Sequence, residues 1–351
     1  MTIASADDGP LRVAQWATGN IGSRSLRAVI EHPDMALVGV HVHSTDKVGV
    51  DAGELCESTE PTGVVATGSI DEICALEPDC VLYMPRACDF DEVARLLAAG
   101  INVVTTRGEF HRPASLEPAR RAQIEAACEQ GGTSIHSTGS SPGFITEAVP
   151  IVLTSIQRHL DSLLIDEFAD LSQRDSPGLL FEVMGFGRRP GPADERRAAH
   201  LREAFGPSLE VLADALGLPL DTVEAVTEVA AARRHTSIAA GDIEAGTVAG
   251  QRTTVTGHRQ GRPLLTFRAT WYCTPDLDAD WCLGTTGWRL TVDGDAPLDV
   301  EMRLAVPLAD MGATSPGYTA HRAVNAVSVV CAAPAGIRTT TDLPQVVAHL
   351  S

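Results

Sequence analysis

From residue 11 to about residue 140 the sequence alternates short β-rich runs with stretches whose apolar residues recur at helical spacing, and few folds accommodate that rhythm. The segments LRVAQWA (11–17), MALVGVHVHS (35–44), CVLYMP (80–85), INVVTT (101–106) and TSIHST (133–138) read as strands. Between them IGSRSLRAVIEH (21–32), DEVARLLAAG (91–100) and LEPARRAQIEAACEQGG (116–132) read as helices that stop at His-Pro or Gly. Strand, helix and strand in steady repetition imply a parallel sheet wrapped by helices, the doubly wound arrangement.

The rhythm changes near residue 145. After a helix at about 145–158, the segments DSLLIDEFADLS, EAVTEVAAARR, GTVAGQRTTVTGHRQGRPLLTFRATWYC and GWRLTVDGDAPLDVEMRLAV are long alternating strands, the last two turning at HRQGR and VDGD. One helical stretch, ADERRAAHLREAFGPSLEVLADALG (193–217), interrupts them. HRAVNAVSVVCAAPAGI (321–337) returns to helical spacing until Pro334 and Gly336, and a helix there is expected to pack back on the first domain.

The chain has 351 residues, more than one core usually serves. Its 27 basic and 46 acidic residues give a net charge of −19, which repels polyphosphate and anionic lipid, so neither nucleic acid nor membrane is expected as a partner. MTIASADDGP has no positive or apolar leader region and no stretch is long enough to span a bilayer, so a cytoplasmic protein is expected. The eight cysteines form no Cys-x-x-Cys pair, and neither a metal site nor a disulfide framework is indicated.

In VAQWATGNIGSRS, Ala17, Gly19 and Gly22 stand where Gly-x-Gly-x-x-Gly has its glycines, directly after the first strand and opening a helix. That pattern gives a tight turn, bare backbone beside a pyrophosphate, and free N–H groups at a helix N-terminus. Gly19, Asn20, Ile21 and Gly22 are therefore expected to bind a dinucleotide, and Ala17 is tolerable if the turn avoids positive φ. The second strand ends in His43, Ser44, Thr45 and Lys47 in place of an acidic residue for the ribose diol. Donors and a positive charge suit a 2′-phosphate, so NADP is expected, and Asp46 keeps NAD open. Pro85 and Arg86, at the end of the strand 80–85, are expected to border the same cofactor. The expected fold class is thus α/β: an N-terminal Rossmann doubly wound parallel sheet (1–145, completed by 320–351) plus a second α+β domain with a largely antiparallel sheet (146–319) for substrate binding and dimerisation.

Ligands of open parallel sheets lie beyond the carboxyl ends of the strands, which puts Glu109, just after strand 101–106, at the reacting end of the cofactor. A carboxylate there holds an amine or iminium, or acts as a base, and it repels the alkoxide that forms when a ketone is reduced. The competing reading is a helix cap or a pair with Arg107. His111 is a second candidate acid, although a loop histidine beside Arg-Pro is more often a surface residue. HSTGSSPGF (136–144) leads into the second domain, with Phe144 either an apolar wall or ordinary core.

The motifs WATGNIGSRSLRAV, VGVHVHSTDKVGVDAGEL, TTRGEF, SPGF, SPGLLFEVMGFG and AVNAVSVVCAAPAGIRTTTDLP together resemble the 2,4-diaminopentanoate dehydrogenase and native amine dehydrogenase family, whose members are often labelled dihydrodipicolinate reductase-like. The resemblance runs in order over nearly the whole chain. It implies an NAD(P)-dependent homodimer that interconverts a carbonyl compound plus ammonia with an amine, and its Gly-Glu active-site motif falls on Glu109. True dihydrodipicolinate reductases carry a His-His pair and an Asp-Ala-Pro-Ser-Gly motif, and this chain has neither.

The expected reaction is reductive amination in a mostly apolar pocket between the domains, bordered by Phe144, Phe168, Met184 and Phe186. Ammonia binds near Glu109, water leaves, and hydride reaches the iminium carbon. Asn325 is expected to bond the cofactor carboxamide or to cap a turn. Arg174 or Arg188 would serve a substrate carboxylate if turned inward. The alternatives are an alcohol-forming ketone reductase or a dihydrodipicolinate reductase-like enzyme, and an NADP-binding sensor without catalysis.

Overall fold

The computed structural model describes residues 9–191 and 195–350. MTIASADD, considered above for a targeting signal, lies outside the described residues, as does the start of the helix expected from Ala193. The chain forms two compact units: one holds the described residues up to Phe144 together with those from Pro316, and the other is Ile145–Ser315.

In the first unit β1 (Leu11–Trp16) pairs in parallel with β2 (Met35–His41) on one side and β4 (Cys80–Tyr83) on the other. Beyond β2 lies β3 (Ala66–Thr67), and beyond β4 lie β5 (Asn102–Thr105) and β6 (Ser134–Ser137), all parallel. The chain order reverses between β1 and β4, which is where an open sheet of this kind holds its ligand.

Alternate residues of each strand face opposite sides. Ala14, Val81 and Val103 pack with Val93, Leu96 and Leu97 of helix α2 (Phe90–Ala98) and Ile124 of α3 (Pro118–Gly131). Their neighbours Val13, Leu82 and Val104 pack with Val29 of α1 (Asn20–Ile30) and with Val324 and Val327 near the C-terminus. A sheet buried on both faces requires such near-continuous apolar strands, and each fully buried aliphatic side chain contributes about 1.5–3 kcal/mol.

The second unit has β7 (Leu160–Asp170), β8 (Thr222–Ala231), a small hairpin of β9 (Thr236–Ile238) and β10 (Gly241–Ile243), then β11 (Val248–Arg259), β12 (Arg262–Tyr272), β13 (Gly287–Gly294) and β14 (Leu298–Arg303). The long strands are ordered β14-β13-β7-β12-β11-β8, antiparallel except where β12 runs parallel to β7. Gln260 and Gly261, both at positive φ, make the tight β11–β12 turn. Helix α4 (Glu195–Ala215) covers one face of this sheet, with Phe205 stacked on Phe267 at 4.0 Å. On the other face Arg268 donates to both oxygens of Asp166, at 2.5 and 2.9 Å.

Three expectations are revised. The helix expected at about 145–158 follows the non-helical backbone of Ser141, Pro142 and Gly143, runs as a wider turn to Ala148 and as α-helix over Val149–Thr154, and so ends four residues earlier than expected. The last helix, α5 (Leu308–Cys331), starts well before His321, since Pro316 masks its first turns in a pattern-based reading. After it, Gly336–Arg338 forms β15, which pairs in parallel with β6 and completes a sheet of seven strands among the described residues. No helix among these residues is long and apolar enough to cross a membrane.

Candidate active site at the strand ends of the first sheet

At the end of β1 the chain must turn directly into α1. Ala17 achieves this at a φ of 68°, in the left-handed region, so the condition that would make an alanine tolerable there is not met. The reason is its carbonyl, which is turned toward Gly22 and accepts a hydrogen bond from Gln15 Nε2 at 3.0 Å. A Cβ on Gly22 would lie 2.2 Å from that oxygen. Left-handed backbone costs a non-glycine residue about 1–2 kcal/mol, and glycine loses about 0.4–1 kcal/mol more entropy on folding. Ala17→Gly is therefore expected to raise stability by up to about 1 kcal/mol, read from the denaturation midpoint; a lower midpoint would contradict the strain.

Gly19 is the N-cap of α1, no side chain accepts from the first turn, and no acidic residue lies in it. The N–H groups of Asn20, Ile21 and Gly22 thus form an uncapped, electropositive helix end. A Cβ on Gly19 would touch nothing within 4 Å, so the approach is open on the outside. These features fit a dinucleotide pyrophosphate.

Beyond β2, Thr45–Lys47 forms a single tight turn with Ser44 at its start. Lys47 Nζ donates to the carbonyl and to the hydroxyl of Thr18, both at 3.1 Å, which ties this turn to the glycine loop and sets a cation beside it. His43, Ser44, Thr45 and Asp46 are exposed around that cation.

Trp16 stacks on His41 with ring centroids 3.6 Å apart. Burial, with His43 adding to it, pushes the His41 imidazole down to about 4. Because the unfolded chain protonates first, stability is complete above pH ~6.5 and falls as pH drops through about 4, by at most about 3 kcal/mol. His41→Asn is expected to flatten the pH dependence of the denaturation midpoint between those limits; an unchanged slope would contradict it.

At the end of β5, the Thr105 hydroxyl donates to the Tyr83 carbonyl at 2.6 Å and accepts from the Arg107 N–H at 3.1 Å. Gly108–Phe110 then makes one turn, anchored by the fully buried Phe110 in the core. Glu109 Oε1 accepts from Arg107 Nη2 at 2.7 Å, so the pair with Arg107 exists. Glu109 Oε2 is nevertheless buried with no hydrogen-bond partner, as is Arg107 Nε. His111 is 2% exposed, not a surface residue, because Phe110 carries the loop inward.

Sequence reasoning missed several neighbours. Beside Glu109, burial and the glutamate's charge push the Cys88 thiol up to about 12. Past β6, the Ser137 hydroxyl donates to the Arg107 carbonyl at 2.7 Å, and the Thr138 N–H donates to the Thr105 carbonyl at 2.9 Å. Thr138 Oγ1 and Ser141 Oγ are buried without partners. Only the polar character of HSTGSSPGF signalled them. Pro85 is buried and Arg86 exposed at the end of β4, and the Arg86 carbonyl accepts from Arg107 Nη1 at 2.9 Å.

Phe144 is half-buried, with the Arg322 guanidinium 5.9 Å from its ring centre. Asn325 lies in the middle of α5 and is half-buried, which rules out a turn cap.

In the second unit Phe168 lines a cleft of about 470 Å³ with Leu283, Gly284 and Trp288. Phe186, 1% exposed, packs with Leu180, Tyr272 and Leu277, so the expectation that it walls a pocket is corrected: its whole ring belongs to the core. Met184 packs against that same core. Arg174 is half-buried, its Nε has no partner, and burial pushes its guanidinium down. Arg188 is exposed and donates to the Glu182 carbonyl.

Residues 145–351 match the sequence profile of the 2,4-diaminopentanoate dehydrogenase C-terminal domain, more than half of the chain. An amine dehydrogenase of Streptomyces virginiae is 27% identical over 344 residues, covering 94% of this chain and 95% of that protein. A 2,4-diaminopentanoate dehydrogenase of Acetoanaerobium sticklandii is 26% identical over 136 residues, 37% of each chain. Among solved structures, that of an amine dehydrogenase from Mycobacterium smegmatis superposes with a TM-score of 0.77 at 20% identity, covering 99% of this chain and 98% of that one.

Proposed function

The chain belongs to the 2,4-diaminopentanoate dehydrogenase family, and from that premise we propose that it carries out NADPH-dependent reductive amination of a ketone or aldehyde with ammonia, and the reverse deamination. In its coarser form the activity is that of an oxidoreductase acting on CH–NH2 donors, in keeping with both curated dehydrogenase relatives. The observation that carries the finer reading is Glu109 Oε2, a buried carboxylate oxygen without a partner at the end of β5.

Gly19, Asn20, Ile21 and Gly22 would hold the pyrophosphate against uncapped N–H groups. When bound, the reduced nicotinamide supplies hydride. Glu109 Oε2 takes a proton from ammonium, leaving ammonia free to attack the carbonyl carbon. Glu109 returns that proton to the hydroxyl of the addition product, which leaves as water, and as a carboxylate again it stabilises the iminium cation, facing an amine rather than an alkoxide after reduction. This charge match favours amine formation over an alcohol-forming reaction.

Lys47 beside the glycine loop, with no acidic residue at the end of β2, supports NADP over NAD. A homodimer is part of the proposal: the sheet face opposite α4 carries Val226, 60% exposed, among polar residues, and a second copy would cover it. Sedimentation of a monomer alone would remove that element. The reaction is tested by oxidation of NADPH and NADH with a panel of small ketones and aldehydes. Turnover that needs ammonium is expected, faster with NADPH; equal turnover without ammonium would favour an alcohol-forming reductase.

A further inference from the structure

Arg107 carries more contacts than a surface ion pair needs. Its guanidinium forks, Nη2 donating to Glu109 Oε1 at 2.7 Å and Nη1 to the Arg86 carbonyl at 2.9 Å. Its backbone is fixed on both sides, the N–H by Thr105 Oγ1 at 3.1 Å and the carbonyl by Ser137 Oγ at 2.7 Å. One residue thus joins the ends of β4, β5 and β6. The Arg107 and Glu109 side chains are 32% and 29% exposed, so solvent only partly screens the pair.

The terminal torsion of a glutamate is broad and nearly two-fold, so a free carboxylate presents either oxygen in many orientations. Here the arginine occupies Oε1, and Oε2 is left buried and partnerless. We infer that Arg107 is a positioning residue: it fixes the Glu109 carboxylate so that one defined oxygen meets the substrate nitrogen. The inference rests on the amine chemistry proposed above. The contact is planar and forked, which a lysine cannot reproduce, because its single ammonium cannot satisfy the carboxylate and the Arg86 carbonyl in the same geometry.

The test compares wild type with Arg107→Met, Arg107→Lys and Arg107→Ala, measuring kcat and KM for ammonium, the Kd for NADPH, and the thermal midpoint. For Arg107→Met, kcat/KM for ammonium is expected to fall about a hundredfold, the scale of a misplaced catalytic group, with NADPH affinity retained. Arg107→Lys is expected to stay well below wild type despite its charge, and added methylguanidinium to restore part of the activity of Arg107→Ala. Wild-type kcat/KM in Arg107→Met, or full recovery in Arg107→Lys, would overturn the positioning role. So would a loss without guanidinium rescue that is matched by weaker NADPH binding and a lower midpoint, which is the pattern of a structural tie. Wild-type turnover that ignores ammonium would instead overturn the amine chemistry, and this inference with it.

Discussion

Glu109→Gln lowers ammonium-dependent turnover by about 10²–10⁴-fold, the contribution of a placed general base, while NADPH binding is unchanged. The substitution keeps the size of the side chain and a carbonyl oxygen that Arg107 can still bond. It removes the negative charge and the ability to accept a proton. The glycine loop that would bind the cofactor lies at the end of β1, on a different strand, and shares no hydrogen bond with Glu109. Initial rates over a range of ammonium concentrations, with NADPH affinity from fluorescence quenching, check both halves. Full activity in the variant would remove Glu109 from the chemistry, and lost NADPH binding would show that it serves the cofactor instead.

Gly22→Ala is expected to weaken NADPH binding on the order of a hundredfold, equivalent to about 2.7 kcal/mol. The added methyl would sit 2.2 Å from the Ala17 carbonyl oxygen and 3.2 Å from Gln15 Nε2. Neither can retreat cheaply, since the carbonyl belongs to a backbone already at positive φ and Gln15 is fully buried. The loop must therefore shift, and with it the N–H groups of α1. By contrast Gly19→Ala meets no atom of the protein within 4 Å and leaves the fold intact. Its effect falls only on a ligand that lies against the loop. Titration of both variants with NADPH, alongside their melting curves, separates the two roles; unaltered affinity in Gly22→Ala would contradict the loop as the pyrophosphate site.

Much of the first sheet was legible because its strands are buried on both faces and stand out as apolar runs between helices, as in CVLY and NVVT. Elements of two or three residues were not. Ala66–Thr67 and Gly336–Arg338 are too short to show a period, and only pairing with β2 and β6 makes them strands. The glycine loop was visible from spacing, but the left-handed backbone at Ala17 was not, since the demand comes from Gly22 and Gln15 across the turn.

At Glu109 the reading of a pair with Arg107 holds, and it leaves the proposed role room, because a carboxylate has two oxygens and Arg107 takes only one. Phe186 shows the opposite limit: an aromatic in a Gly-rich stretch looks the same whether it lines a pocket or fills a core, and here Leu180 and Tyr272 enclose it. His111 looked exposed from its polar neighbours, and the burial of Phe110 decided otherwise.

The most direct measurement is the mass of the product formed from a turned-over ketone with NADPH and nitrogen-15-labelled ammonium. An amine carrying the heavy nitrogen, formed in step with NADPH consumed, is the expected result. An unlabelled alcohol formed at the same rate would contradict amine formation and the assigned role of Glu109.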